Sequence, residues 1–455
     1  MKKQILFALA TLIFTTWSCK KDEINDKLDV DLEAVLNIAS NGQGTNHYIL
    51  PESHDYDNIP QDPRNPITSE KVKLGKFLYH ETGLALSPMQ EVGKGTYSCA
   101  SCHFASAGFQ AGRFQGIGEG GLGIGVNGEG RERDGAYDII ELDVQPVRSP
   151  SALNLAYQEA VLWNGQFGAT GINAGTDYAW VPGTPIETNQ LGYQGLEIQA
   201  IAGLTVHRLE IDKDFLDENG YTALFDQAFS AYPEDIRYTK ETAGLAIAAY
   251  ERTLLANRAP FQEWLKGNSK ALDEDEKRGA ILFFGEAGCA GCHNGPTLSN
   301  MEFHALGLKN LLDCPEETFQ TPVDHVAYLG RGGFTGNAED MYKFKVPQLY
   351  NLADSPFFGH GSSLRSVREV VEYKNNAVAE NPDVPESQLS DQFVPLGLTE
   401  EEIGQITAFI ESALRDPNLD RYVPASLPSG NCFPFADPLS REQLGCDKDE
   451  KNGVL

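Results

Sequence analysis

The pentapeptide Cys-X-X-Cys-His occurs twice, as Cys99-Ala-Ser-Cys102-His103 and as Cys289-Ala-Gly-Cys292-His293. That spacing is the attachment signature of c-type haem. The two thiols add across the haem vinyl groups, and the adjacent His supplies an axial nitrogen to iron. With only eight Cys and nine His in 455 residues, two such matches do not arise by accident. Zinc is the rival for clustered Cys and His, but each cluster offers three contiguous ligands and no second paired set nearby. The residues read as holders of two covalent haems, Cys99, Cys102 and His103 for one and Cys289, Cys292 and His293 for the other.

The segments that must position these motifs repeat. Thr68 to Leu78 and Leu272 to Phe283 each begin with an acidic, cap-like start and continue as a helical apolar pattern. Each has a glycine inside (Gly75, Gly279) and leads to a haem motif. After a long loop region each haem motif is followed by a second amphipathic helix, predicted over 241–256 and 399–414. The fold class expected is mainly α, with two tandem cytochrome c-like domains and long irregular loops. The domains span residues 61–257, with the first haem, and 258–415, with the second. Residues 108–135 are dense in glycine, which predicts a mobile or tightly turning loop, and 168–192 read as a surface insertion. Residues 19–60 are polar and suit a tether, and the Pro-rich, Cys-containing tail 416–455 is expected to pack over a domain surface.

A basic start, an apolar run from Ile5 to Phe14 and Thr16-Trp17-Ser18-Cys19 form a secretion signal over residues 1–18, too short to span a bilayer. Cys19 sits where a bacterial lipoprotein is acylated, and ordinary signal cleavage nearby is the alternative. Either way the protein leaves the cytoplasm. The location expected is the periplasm or cell surface, lipid-anchored to a bacterial membrane. Setting aside Cys19 and the haem thiols leaves Cys314, Cys432 and Cys446, which allow one disulfide in three ways. Cys432 and Cys446 are the nearest pair. A net charge of −29 excludes nucleic acid as a partner. The charge serves solubility or steers a basic electron donor.

Motifs beyond the haem sites are Arg148-Ser-Pro-Ser-Ala-Leu-Asn154, Leu162-Trp163-Asn164-Gly165, Leu196-Glu-Ile-Gln-Ala200, Phe334-Thr-Gly-Asn337 and Tyr342-Lys-Phe-Lys-Val-Pro-Gln-Leu-Tyr-Asn-Leu352. With them the chain, from about Pro66 to Leu414, resembles the bacterial diheme cytochrome c peroxidase family, which includes MauG. The resemblance implies that peroxide reacts at the first haem and that electrons pass through the second, with a Trp between them, here Trp163. It implies a distal Glu with a nearby Gln. Gln199 matches the Gln, and Glu210 matches the Glu if one inserted residue is allowed, with His207 as the alternative polar group. Many family members carry a His that blocks the first iron; here no His lies between His103 and His207, so the first haem is expected to be open unless His207 or another side chain caps the iron. An ungapped alignment from Pro356 puts Tyr373 at the sixth-ligand position of the second haem, with Met341, His360 and Lys374 as alternatives. A phenolate is a hard anionic donor that favours oxidised iron and lowers the potential relative to Met. Calcium between the domains is also implied, through positions matching Arg148, Asp354 and Pro356. Arg148 stands where the family has an Asn, and so removes an oxygen ligand that a hard cation needs, which makes calcium doubtful unless Asp354 compensates.

Three functions follow as expectations. The first is a diheme peroxidase that reduces hydrogen peroxide to water with electrons from a small basic cytochrome or cupredoxin. The second is a MauG-like enzyme that uses peroxide to oxidise a partner protein. The third is a diheme electron carrier without an open site.

Overall fold

The computed structural model describes residues 27–446, so the signal segment and Cys19 lie outside the described residues. Helix α1 covers residues 27–39. It is followed by α2 (Ser69–His80), α3 (Gly195–Val206), α4 (Lys213–Glu218), α5 (Tyr221–Ala228), α6 (Glu234–Arg237), α7 (Lys240–Arg252), α8 (Pro260–Leu265), α9 (Glu274–Phe284), α10 (Arg331–Thr335), α11 (Val367–Asn376), α12 (Glu400–Ala408) and α13 (Pro438–Leu444). Among the described residues the strands are two short antiparallel pairs. They are β1 (Gly121–Leu122) with β2 (Glu132–Arg133), and β3 (Phe303–His304) with β4 (Phe344–Lys345). The fold is mainly α, as the repeated helical patterns imply.

The repeat becomes two helix pairs. Thr68 caps α2 by accepting from the Lys71 amide, and Asp273 caps α9 in a reciprocal box with Glu276. α2 packs against α7, which also packs against α3, while α9 packs against α12. The embedded glycines explain why these crossings are close. A Cβ on Gly75 would lie 1.9 Å from the Ala246 carbonyl oxygen, and one on Gly279 would lie 1.9 Å from that of Gln405. Only glycine lets the backbones approach so far.

Two apolar cores result. The first gathers Leu74, Leu78, Tyr79, Leu196, Leu204, Ala246 and Tyr250 around the Cys99 segment. The second gathers Phe261, Phe283, Phe284, Ile406 and Phe409 beside the Cys289 segment. Phe409 meets Phe261 at 5.3 Å and Phe283 at 5.4 Å between ring centroids, so truncating it would cost about 3–5 kcal/mol. α12 ends in a π turn over Phe409–Ala413, extending the predicted second helix almost to its expected end.

Residues 27–60 are not a free tether. Leu28, Leu32 and Leu36 recur every four residues and are buried; Leu32 and Leu36 join the second core. Asp29 accepts from the Trp264 indole at 2.7 Å and pairs with the buried Lys277 at 2.6 Å. The polar composition hides this one apolar stripe.

The glycine-rich loop is tightly turned around a buried cation. Arg131 donates to the carbonyls of Ile117, Gly118 and Gly123 and pairs with Asp437 of the tail at 3.0 Å. The tail therefore covers the first core, with Phe435 buried and Cys432 disulfide-bonded to Cys446. Cys314 remains a free thiol.

Candidate haem cavity and active site

One continuous cavity of about 340 Å³ is lined by His103 of the first motif and by Cys289, Cys292 and His293 of the second. Its wall is largely apolar, with Leu155, Val161, Leu162, Leu306, Leu349, Val371 and Ile406 among its residues. A planar, mostly apolar macrocycle needs such a wall.

Each axial His is held in the tautomer that iron requires. His103 Nδ1 lies 3.2 Å from the Phe109 carbonyl, and His293 Nδ1 lies 2.9 Å from that of Leu298. An N–H donated from Nδ1 to a carbonyl leaves the Nε2 lone pair for a metal. Burial pushes both imidazoles down to about 4, so both are neutral at pH 7, as ligands must be. None of the four motif cysteines is in a disulfide, so all four fit thioether bonds to haem. Tyr79 donates to the His103 carbonyl at 2.8 Å and ties α2 to the first motif. The residues present fit two c-type haems.

The first-motif side of the cavity carries polar groups on two helices. Gln199 of α3 and Glu251 of α7 both line it. Glu251 is 6% exposed and its Oε2 has no hydrogen-bond partner. Desolvation, aided by the nearby charge of Glu197, pushes its carboxyl up to about 8. A neutral buried acid with a free oxygen, facing the cavity, is poised to exchange protons there.

The comparisons with known proteins bear on this arrangement. Residues 69–270 match the family of di-haem cytochrome c peroxidases. The chain is 30% identical over 363 residues to methylamine utilization protein MauG of Methylorubrum extorquens, covering 79% of this chain and 83% of that one. It is also 30% identical over 374 residues to cytochrome-c peroxidase IdrP1 of Denitromonas iodatirespirans, covering 78% and 84%. The chain belongs to the di-haem cytochrome c peroxidase family. The fold is similar to that of a MauG-like protein associated with microbial copper homeostasis, with a TM-score of 0.54 and 23% identity over 86% of this chain and 98% of that one. As a member of this family the chain is an oxidoreductase with two c-type haems.

Within this di-haem peroxidase, Trp163 lines the cavity and donates its indole N–H to the Arg148 carbonyl at 2.8 Å. Tyr373 of α11 lines the second-motif side and donates its hydroxyl to the Leu306 carbonyl at 2.6 Å. Of the alternative ligands, His360 and Lys374 also line the cavity and Met341 does not. The His360 ring stacks on Phe344 at 3.7 Å and its Nε2 lies 3.0 Å from Asn310 Oδ1.

Glu210 is not brought to the cavity. After α3 the chain turns at Arg208, whose φ is 56°, and the Glu210 amide donates to the Leu84 carbonyl. Its carboxylate pairs with Lys240 at 3.0 Å and is 39% exposed. His207 holds Asp143 at 2.9 Å through Nδ1, and that carboxylate overcomes burial to raise the imidazole.

At the positions matched to calcium ligands, the Arg148 guanidinium sits among oxygen acceptors, and Asp354 spends both oxygens on Arg415 and Asn351. The group that sequence reasoning missed is Glu251. Its signal was weak: an ionisable pair, Glu251-Arg252, closing the alanine-rich run of α7. Lys345 was also missed as a site residue. It is buried in the cavity wall, its amine donates to Gln158, and burial pulls it down to about 7.

Proposed function

We propose that the protein reduces hydrogen peroxide to water, with His103 holding the haem that would meet peroxide and His293 holding the haem that would take up electrons. Each turnover takes two electrons and two protons and yields two waters. The haems, when bound, supply the iron site for peroxide and the store of electrons. The chain supplies the protons and the relay. Glu251, the cavity carboxyl with an unpartnered oxygen, in its ionised form takes the proton of the incoming peroxide and returns it to the departing oxygen. The expectation for Glu210 moves to Glu251 because Glu210 is held at the surface by Lys240. Gln199, on the same cavity wall, positions the peroxide oxygens, and Trp163 connects the two haems. The observation that carries this reading is the shared cavity that brings His103, Gln199, Glu251, Trp163 and His293 together.

Titration of the oxidised holoprotein with stoichiometric peroxide, followed in the Soret band, tests it. An immediate spectral change means that the first iron is open without prior reduction. A change that needs one reduced haem means a blocked iron and a gated peroxidase. An inert half-reduced protein would leave only the electron carrier.

A second reading, peroxide-driven oxidation of a partner protein, is supported by Tyr373 in the cavity wall and by the lack of a blocking His between His103 and His207. It requires Tyr373 to ligate the second iron. The domain limits at residues 61–257 and 258–415 belong to the proposal as well. So do export, acylation of Cys19 and a periplasmic or surface location; labelling with a radioactive fatty acid, lost in Cys19→Ala, tests the anchor. The acidic surface, from a net charge of −29, supports a basic cytochrome or cupredoxin as donor.

A further inference from the structure

Arg148 stands where three functional segments meet. Its guanidinium is 2% exposed, and among the described residues no carboxylate pairs with it. It donates to Gln110 Oε1 at 2.8 Å, the Ala111 carbonyl at 3.3 Å, the Arg113 carbonyl at 3.1 Å and Ser355 Oγ at 2.7 Å. Its amide donates to the His360 carbonyl at 2.8 Å, and its own carbonyl accepts from Trp163. One residue thus joins the loop after the first haem motif, the relay tryptophan and the 355–360 segment on the second-haem side.

The acceptors around the guanidinium are all neutral oxygens, two of them backbone carbonyls. That is the ligand type a hard divalent cation selects. Here the oxygens are already satisfied by a fixed cation. Burial and the charge of Arg365 pull the guanidinium down only to about 9, so it stays charged at pH 7. Asp354 directs its two oxygens to Arg415 and Asn351.

We propose that Arg148 is a built-in cation that clasps the first-haem loop to the second-haem segment and holds Trp163 in place, so that this protein needs no calcium there. Arg148 is a positioning residue in this proposal, acting through Trp163. The proposal rests on Trp163 as the link between the haems and not on peroxide as the substrate.

The test uses the holoprotein. Calcium is measured by elemental analysis, and thermal midpoint and ferric spectra are recorded with and without a chelator. The rate at which the second haem responds to one-electron reduction at the first is followed optically. The native protein is expected to hold well under one calcium per chain and to be unmoved by the chelator. Arg148→Asn removes the cation and adds an oxygen to the same ring. Its interhaem rate is expected to fall about 10²-fold, the cost of a small misplacement at a relay. Added calcium should restore most of that loss and raise the thermal midpoint of this variant alone. Arg148→Lys, which keeps the charge but loses the fork, should fall between the two.

One tightly bound calcium per native chain, or a chelator-induced change in the native spectra or midpoint, overturns the proposal. So does an unchanged interhaem rate in Arg148→Asn. If that variant fails to fold, the native measurements and Arg148→Lys still decide. Loss of peroxide turnover would sink the proposed function while leaving the calcium content and thermal midpoint to judge this inference.

Discussion

The two halves of the molecule share a chassis and differ in what they turn toward the cavity. In each, a capped helix with an embedded glycine crosses its partner so closely that a Cβ would strike a carbonyl, at Gly75 against Ala246 and at Gly279 against Gln405. In each, the axial His spends Nδ1 on a backbone carbonyl five or six residues on. The first half then presents a carboxyl and an amide, Glu251 and Gln199, whereas the second presents a phenol and an amine, Tyr373 and Lys374. Of these groups the Glu251 carboxyl is the one with an unpartnered oxygen, which proton exchange with peroxide needs. On the proposed reading, a few side chains divide the duplicated scaffold into a reacting half and a transmitting half.

Removing the first axial ligand should break the comparison outright. His103→Ala is expected to abolish peroxide turnover, while the second haem keeps its spectrum and its response to reductant. His293→Ala should instead leave a protein that reacts with peroxide once and then stalls. Rapid-mixing spectra separate the two.

Glu251→Gln should lower kcat/KM for peroxide by about 10²–10⁴-fold, while Glu210→Gln changes little. Equal losses in both would return the role to Glu210. The pH dependence follows from the carboxyl's position near 8. The base form fills as pH rises through about 8, so wild-type kcat/KM should climb there and the Gln variant should stay flat. Stability runs the other way. The folded state holds this proton more tightly than the unfolded chain, so the contribution is complete below the ordinary Glu range. It is lost as pH rises from about 4.3 toward about 8. Glu251→Gln should therefore gain thermal midpoint relative to wild type at pH 8 and not at pH 4.

Tyr373→Met sharpens the second half of the comparison. If the phenol ligates iron, the potential of the second haem should rise by on the order of 0.1 V or more, measured by spectroelectrochemistry. An unmoved potential would mean that the hydroxyl stays on the Leu306 carbonyl and that another side chain is the ligand.

The smallest effects test the shared chassis. Gly75→Ala and Gly279→Ala should each lose about 1–3 kcal/mol by denaturant unfolding, because overpacking against a fixed backbone outweighs the gain in helix propensity. Similar losses in both would show that the two crossings carry equal weight.

Much of this was legible in the sequence because the signals were local. The haem motifs are contiguous, the helix caps lie beside the apolar patterns they start, and Cys432 and Cys446 are neighbours along the chain. Residues 27–39 were misjudged because a single leucine stripe in a polar segment reveals nothing until its partner surface is known. Glu210 follows from the family resemblance with one inserted residue allowed, yet the turn at Arg208 carries it to the surface. Glu251 was missed because α7 carries no motif, and only its packing against α2 and α3 turns that carboxyl toward the cavity.

By itself the sequence determined covalent haem attachment, helical repetition, an acidic surface and membership of a family, since each is written in residue types at short, fixed spacings. The tertiary structure alone decided which carboxyl is desolvated, which phenol and imidazole face the cavity, and that Arg148 meets oxygens from segments more than two hundred residues apart. A pKa, a cavity wall and a cation's cage depend on groups that only folding brings within a few ångströms, and no local pattern encodes them.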